Sequence, residues 1–164
     1  MPISSCGRSR GRSLAPLALG VPLLTLAGLS LSASPAAGQT LVHRFDGSAV
    51  EDRAGSAVNG GCDVDLDGFD DILVGVPQSD AGAPDGGAAI VYSGLSGLPL
   101  FEFVNTQAGA AFGSAITFVD DLDGDSHPEI LVGAPLFDGS GTNCGRAYLY
   151  SGASGQLVAS FDGV

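Results

Sequence analysis

Ile72-Leu73-Val74-Gly75 returns later in the chain as Ile130-Leu131-Val132-Gly133, and the fold follows from that recurrence. On either side of it the likeness continues. Gly55-Ser56-Ala57-Val58 returns as Gly113-Ser114-Ala115-Ile116, and the acidic run that begins at Asp63 returns at Asp121. Ala89-Ile90-Val91-Tyr92-Ser93-Gly94 returns as Ala147-Tyr148-Leu149-Tyr150-Ser151-Gly152, and every pair is separated by 58 residues without a gap. Leu41-Val42-His43-Arg44-Phe45-Asp46-Gly47 returns as Leu157-Val158-Ala159-Ser160-Phe161-Asp162-Gly163, with a degenerate copy between them at Pro99–Asn105. One register held through five segments marks a repeated supersecondary unit that buries its faces against its neighbours.

Each unit reads as four short strands. The first covers 54–61 and again 112–119, and the second is Ile72–Val76 and Ile130–Ala134. The second is apolar without alternation, as expected of a strand covered on both faces. The third is Ala88–Tyr92 and Arg146–Tyr150, rich in β-branched and aromatic residues. The fourth is Leu100–Val104 and Leu157–Phe161, and Gly, Pro, Asp and Ser fill the gaps as turn formers. Four strands per repeat and no helical periodicity beyond residue 40 predict an all-β chain of two β-propeller blades, in repeat units 48–105 and 106–163. Residues 41–47 read as one extra N-terminal strand, the fourth strand of a blade whose first three are missing. Propellers close with four to eight blades, so the expectation is an incomplete propeller. Its open faces predict a homo-oligomer that completes a ring, or poor solubility.

The chemistry lies in two nine-residue loops, Asp63-Val64-Asp65-Leu66-Asp67-Gly68-Phe69-Asp70-Asp71 and Asp121-Leu122-Asp123-Gly124-Asp125-Ser126-His127-Pro128-Glu129. Carboxylates at positions 1, 3, 5 and 9, with a backbone carbonyl at position 7, can converge on one point and offer the hard oxygen shell that suits Ca²⁺. Without a cation each close pair, at ~5 Å and an effective dielectric near 20, repels by roughly 3 kcal/mol. Magnesium fits less well because it prefers a small octahedral shell and retains its waters. An EF-hand would need a bidentate acid at position 12, leading into a helix. Here position 12 is Val74 or Val132, inside an apolar strand.

The second unit reads Phe112-Gly113, the Asp121 loop, Val132-Gly133-Ala134-Pro135 and Gly145-Arg146-Ala147-Tyr148-Leu149-Tyr150. This resembles the FG-GAP repeat of integrin α-chain propellers and of many exported bacterial proteins. The first unit departs from the pattern, with Ala54-Gly55 for Phe-Gly and Gly75-Val76-Pro77 for Gly-Ala-Pro. Its acidic loop is the better match, with Gly68 in the usual glycine position; the second loop has Gly124 early and Ser126 in that place. The resemblance implies one ion held by Asp63, Asp65, Asp67, Asp71 and the Phe69 carbonyl. It implies a second held by Asp121, Asp123, Asp125, Glu129 and the His127 carbonyl. The side chain of His127 is assigned no ligand role, His43 is assigned to the surface, and the tyrosines 92, 148 and 150 to core or inter-blade packing.

Residues 1–38 contain three arginines and no acid, with a basic stretch from Arg8 to Arg12, an apolar run from Leu14 to Ala33, and small residues through Gly38. That order predicts a secretory signal peptide over 1–38 and a propeller fragment over 39–164. Beyond residue 38 the formal charge is −15, from three arginines and 18 acids. Such a surface repels nucleic acid and anionic lipid and attracts cations. Neither nucleic-acid binding nor membrane insertion after signal cleavage is expected. Cys6 leaves with the signal, and Cys62 and Cys144 are expected not to bond, because alternating strand direction puts them on opposite faces. No nucleophile elbow and no phosphate loop is present. The function expected is a secreted or cell-surface, non-catalytic module that binds about two Ca²⁺ and contacts a protein or surface ligand. An accessory propeller of an exported hydrolase or lyase, and a truncated reading frame, stay open as alternatives.

Overall fold

In the computed structural model the described residues are 41–164, and the expected signal peptide over 1–38 lies outside them. Eight strands follow in chain order: β1 (Ala57–Cys62), β2 (Asp71–Val76), β3 (Ala88–Tyr92), β4 (Pro99–Val104), β5 (Ala115–Val119), β6 (Glu129–Ala134), β7 (Arg146–Tyr150) and β8 (Leu157–Asp162). They form two four-stranded sheets, ordered β1-β2-β3-β4 and β5-β6-β7-β8, with every neighbouring pair antiparallel. This is the two-blade, all-β architecture of an incomplete propeller. The registers repeat as the sequences do: Val74 faces Ile90 in the first sheet, and Val132 faces Tyr148 in the second.

The first strand of each blade starts three residues later than the sequence pattern predicts. The reason is a tight turn at Arg53–Ser56 and again at Ala111–Ser114, closed by Ser56 N–H to the Arg53 carbonyl and Ser114 N–H to the Ala111 carbonyl. Gly55 and Gly113 sit there at φ of 84° and 87°, where a side chain would be strained. Their N–H groups donate to the carbonyls of Gly75 and Gly133, which anchors each turn to its own second strand.

The core lies between the sheets. Leu73, Ala89, Val91 and Phe103 of the first blade pack against Phe112, Phe118, Ile130, Val132 and Ala134. Phe103 stacks on Tyr150 with centroids 4.1 Å apart, while Phe112 meets Tyr148 edge-on at 5.3 Å. Burial and the neighbouring Tyr148 push the Tyr150 hydroxyl up to about 12. Polar groups are paired across the same interface. Phe118 N–H donates to Asn59 Oδ1 at 3.2 Å, and Asn105 Nδ2 donates to the Tyr148 hydroxyl at 3.1 Å. An isolated parallel bridge joins Gly87 to Phe112. Gly75 is obligatory at the contact because a Cβ there would overlap the Gly113 carbonyl.

Residues 41–47, expected as an extra strand, form none. A strand needs a ladder partner, and no described residue supplies one. The segment nevertheless keeps one contact of the strand it resembles. Phe45 packs on Tyr92 with centroids 4.2 Å apart and planes 31° apart, close to the 4.1 Å and 25° of Phe103 on Tyr150. Cys144 is a free thiol, so it makes no bridge to the buried Cys62.

Candidate metal centre

Both acidic loops connect the first strand of a blade to the second, and their last acid is the first residue of the second strand, Asp71 of β2 and Glu129 of β6. The two loops share a backbone shape despite different glycine positions. Leu66 and Gly124 occupy one left-handed position, at φ of 59° and 86°. Gly68 and Ser126 occupy the other, at 94° and 77°. Each loop thus has glycine at one of its two positive-φ sites and accepts a cost of roughly 1 kcal/mol at the other. In both, the first aspartate ties the turn: Asp63 accepts from Asp67 and Gly68 N–H at 3.1 and 2.8 Å, and Asp121 accepts from Gly124 and Ser126 N–H at 2.7 and 2.8 Å. These amide donors hold the Asp121 carboxyl below the usual range, Ser126 N–H foremost.

The two loops differ in how many acids they gather. Asp121, Asp123, Asp125 and Glu129 each offer an oxygen within 4.8 Å of the others. In the first loop only Asp63, Asp65 and Asp71 meet that condition. Asp67, expected as a fourth ligand, is outside the group, and its Oδ1 accepts the Phe69 N–H at 2.8 Å. The second loop is therefore the more complete cluster, the reverse of the order the glycine positions imply.

The final acids of the two loops also differ. Asp71 is fully buried and both of its oxygens are used, Oδ2 by Val64 N–H at 2.7 Å and Oδ1 by Gly94 N–H at 2.9 Å. Glu129 is one methylene longer. Its Oε2 takes the matching bond, from Leu122 N–H at 2.6 Å, while Oε1 is buried with no hydrogen-bond partner. A buried, unpartnered carboxylate oxygen costs several kcal/mol unless it neutralises or meets a cation. Burial pushes the Glu129 carboxyl up, and Asp123, Asp121 and Asp125 push it further; Asp71 is likewise raised by burial, then by Asp65 and Asp63. Oxygen donors only, one of them orphaned, are a donor set that fits a hard divalent ion.

Two features were not legible in the sequence pattern. Gly94 holds Asp71 through its amide, and the only trace of this is the repeated Ser-Gly at 93–94 and 151–152. The His127 ring, expected to be idle, places Nδ1 2.7 Å from the Val64 carbonyl and so ties the second loop to the first. No sequence signal marks that contact, because the partners are 63 residues apart.

The fold and the paired loops define a class, a repeat protein whose unit is a four-stranded blade with an acidic loop between its first two strands. The FG-GAP repeat matches this chain at residues 54–92 and 112–150, so the chain carries two FG-GAP repeats. It is similar to Integrin alpha-6 of Gallus gallus, 34% identical over 126 residues, which is 72% of this chain and 11% of that protein. It is similar to Integrin alpha-6 of Homo sapiens, 32% identical over 121 residues, 70% of this chain and 10% of that protein. Integrin alpha-11 of Homo sapiens is 30% identical over 124 residues, 73% of this chain and 10% of that protein. The chain thus spans about a tenth of the length of these relatives. No helix among the described residues is long and apolar enough to cross a membrane.

Proposed function

We propose that this chain is an exported, non-catalytic FG-GAP module in which each acidic loop holds a structural calcium ion and the blades serve adhesion or protein interaction at or beyond the cell surface. The observation that carries the calcium reading is Glu129 Oε1, buried without a partner beside three aspartates. When bound, calcium supplies the counter-charge that lets these carboxylates stay ionised and close together. Asp121, Asp123, Asp125 and Glu129 would hold it in the second loop, with the His127 carbonyl. Asp63, Asp65 and Asp71 would hold it in the first, with the Phe69 carbonyl and with Asp67, whose bond to the Phe69 amide matches that of Asp125 to the His127 amide. Likeness to integrin α chains, together with a surface of high negative charge, supports an interaction role in calcium-rich surroundings. The basic, apolar, then small-residue sequence of residues 1–38 supports export.

Calorimetric titration with Ca²⁺, paired with thermal melting in chelator and in millimolar calcium, tests the reading. About two equivalents and a melting temperature that rises with calcium are expected from linkage. No heat and no thermal shift would remove calcium from the account.

A further inference from the structure

The strands that enter the two acidic loops are tied to each other across the blade interface. Asn59 of β1 accepts the N–H of Phe118 of β5 at 3.2 Å, just ahead of both loops. At the loops themselves a second tie forms. The His127 ring places Nδ1 2.7 Å from the Val64 carbonyl. A carbonyl oxygen only accepts, so Nδ1 carries the proton and donates, whatever the charge of the ring. Val64 is held on its other sides too. Its side chain is 1% exposed, in the core cluster that also contains Phe118 and Ile130, and its N–H donates to Asp71 Oδ2 at 2.7 Å.

These bonds connect the two candidate calcium sites. On the calcium reading, His127 gives its main-chain carbonyl to the second site, while its ring holds the residue between Asp63 and Asp65 of the first. Val64 in turn holds Asp71, the last acid of the first site. The loops are unequal in readiness. Asp121, Asp123, Asp125 and Glu129 already converge, and Glu129 Oε1 is buried without a partner. In the first loop Asp67 stays outside the group formed by Asp63, Asp65 and Asp71. The second site is therefore preformed, the first has an arrangement still to adopt, and ordering that arrangement in advance lowers the cost of binding there. Loading the second loop removes some of the negative charge that draws an ion to the first. Its four carboxylates leave it negative even so, and salt screens the exposed groups.

We propose that the two sites are coupled through His127: an ion in the second loop raises the affinity of the first loop for calcium, with His127 as the positioning residue between them. The coupling rests on the calcium reading above. An ion held by the His127 carbonyl fixes the backbone of that residue, and with it the ring. The fixed ring holds the Val64 carbonyl, so the Asp63–Asp65 segment and Asp71 are ordered before the first site fills, as partners behind a ligand set orient the ligands themselves. The effect is worth about one hydrogen bond, on the order of fivefold in affinity. Linkage makes it reciprocal, so an ion in the first loop raises the affinity of the second by the same factor. The two blades thus take up calcium together.

Calorimetric titration of the full chain with Ca²⁺, in physiological salt and at neutral pH, tests it on three proteins: wild type, Asp125→Ala, which disables the second site, and Asp65→Ala, which disables the first. For independent sites the overall wild-type constant equals the product of the two single-site constants. It is expected to exceed that product about fivefold. His127→Leu, added to each of the three, brings the ratio to about one, the value for uncoupled sites. His127→Asn keeps the excess, because its amide nitrogen stands where Nδ1 does and donates to the Val64 carbonyl. A residue that only filled space would not separate the two variants by their donor. Hydrogen exchange at the Val64 amide reads the same link directly. In Asp65→Ala, calcium in the second loop slows that exchange, and adding His127→Leu removes the slowing. Two bound ions whose constants multiply without excess would overturn the coupling and leave the calcium reading standing. So would an excess that persists in His127→Leu, or a Val64 amide indifferent to calcium in Asp65→Ala. Wild type that binds no calcium would remove both.

Discussion

Glu129→Gln should change the sign of its effect on stability with calcium. In chelator the wild-type carboxylate is buried, lies within 4.8 Å of oxygens from Asp121, Asp123 and Asp125, and leaves Oε1 unpaired. The three aspartates are exposed, so their repulsion is screened toward bulk water and amounts to about 1 kcal/mol per neighbour rather than the interior figure. Glutamine keeps the Oε2-type bond from Leu122 and offers its amide N–H groups to the aspartates. It should therefore stabilise the cation-free protein by about 1–3 kcal/mol, seen as a rise of about 3–5 °C per kcal/mol in a domain of this size. In millimolar calcium the same change removes a charged ligand and should lower the melting temperature below wild type. Differential scanning calorimetry of both proteins in both buffers measures the four values. A variant that is less stable in chelator and in calcium alike would refute the reasoning, because it would show Glu129 to be a structural hydrogen-bond group and not one held for a cation.

The pH dependence in chelator follows from the raised carboxyls. Glu129 and Asp71 lie above their ordinary values in the folded chain, so folding favours their protonated forms. Stability should grow as pH falls through those raised values and be fully gained below the ordinary carboxylate range. It should be lost again as pH rises, and calcium should reverse that slope; melting curves between pH 4 and 7, on the order of the carboxylate range, read it directly. Asp125→Ala should lower calcium affinity more than Asp67→Ala, since only Asp125 belongs to a closed cluster; titration of the two variants compares them. Gly75→Ala should destabilise by about 1–3 kcal/mol through overlap with the Gly113 carbonyl, while Gly133→Ala should be near neutral, as urea melts would show. Phe112→Ala should cost about 3–5 kcal/mol, because its ring is fully buried between the blades.

Much of the architecture was written in the sequence because repetition and strand period are local properties. Ala88–Tyr92 and Arg146–Tyr150 are strands over the range their residue types predict, and Ile72–Val76 and Ile130–Ala134 each gain only the preceding acid. The 1-3-5-9 spacing of the loops and the Phe112-Gly113 motif were equally plain. What the sequence misplaced depends on partners far along the chain. Residues 41–47 share five of seven residues with 157–163, yet are not a strand, because strand formation depends on pairing with a distant segment and not on local pattern. Only the turn geometry revealed that Ala54–Ser56 and Phe112–Ser114 precede their strands, and that Phe112 and Gly113 contact the first blade.

The candidate site divides in the same way. Sequence determined which residues carry charge and how they are spaced. Tertiary structure decided which of them converge, because convergence depends on the path of the loop and on how the last acid is held at the start of the second strand. Asp71 converges with both oxygens already bonded to the Val64 and Gly94 amides, Asp67 stays outside its group, and Glu129 converges with a buried oxygen free, through one extra methylene. The link from His127 to Val64 and the stacking of Phe45 on Tyr92 are likewise products of packing between segments distant in sequence, which no local pattern encodes.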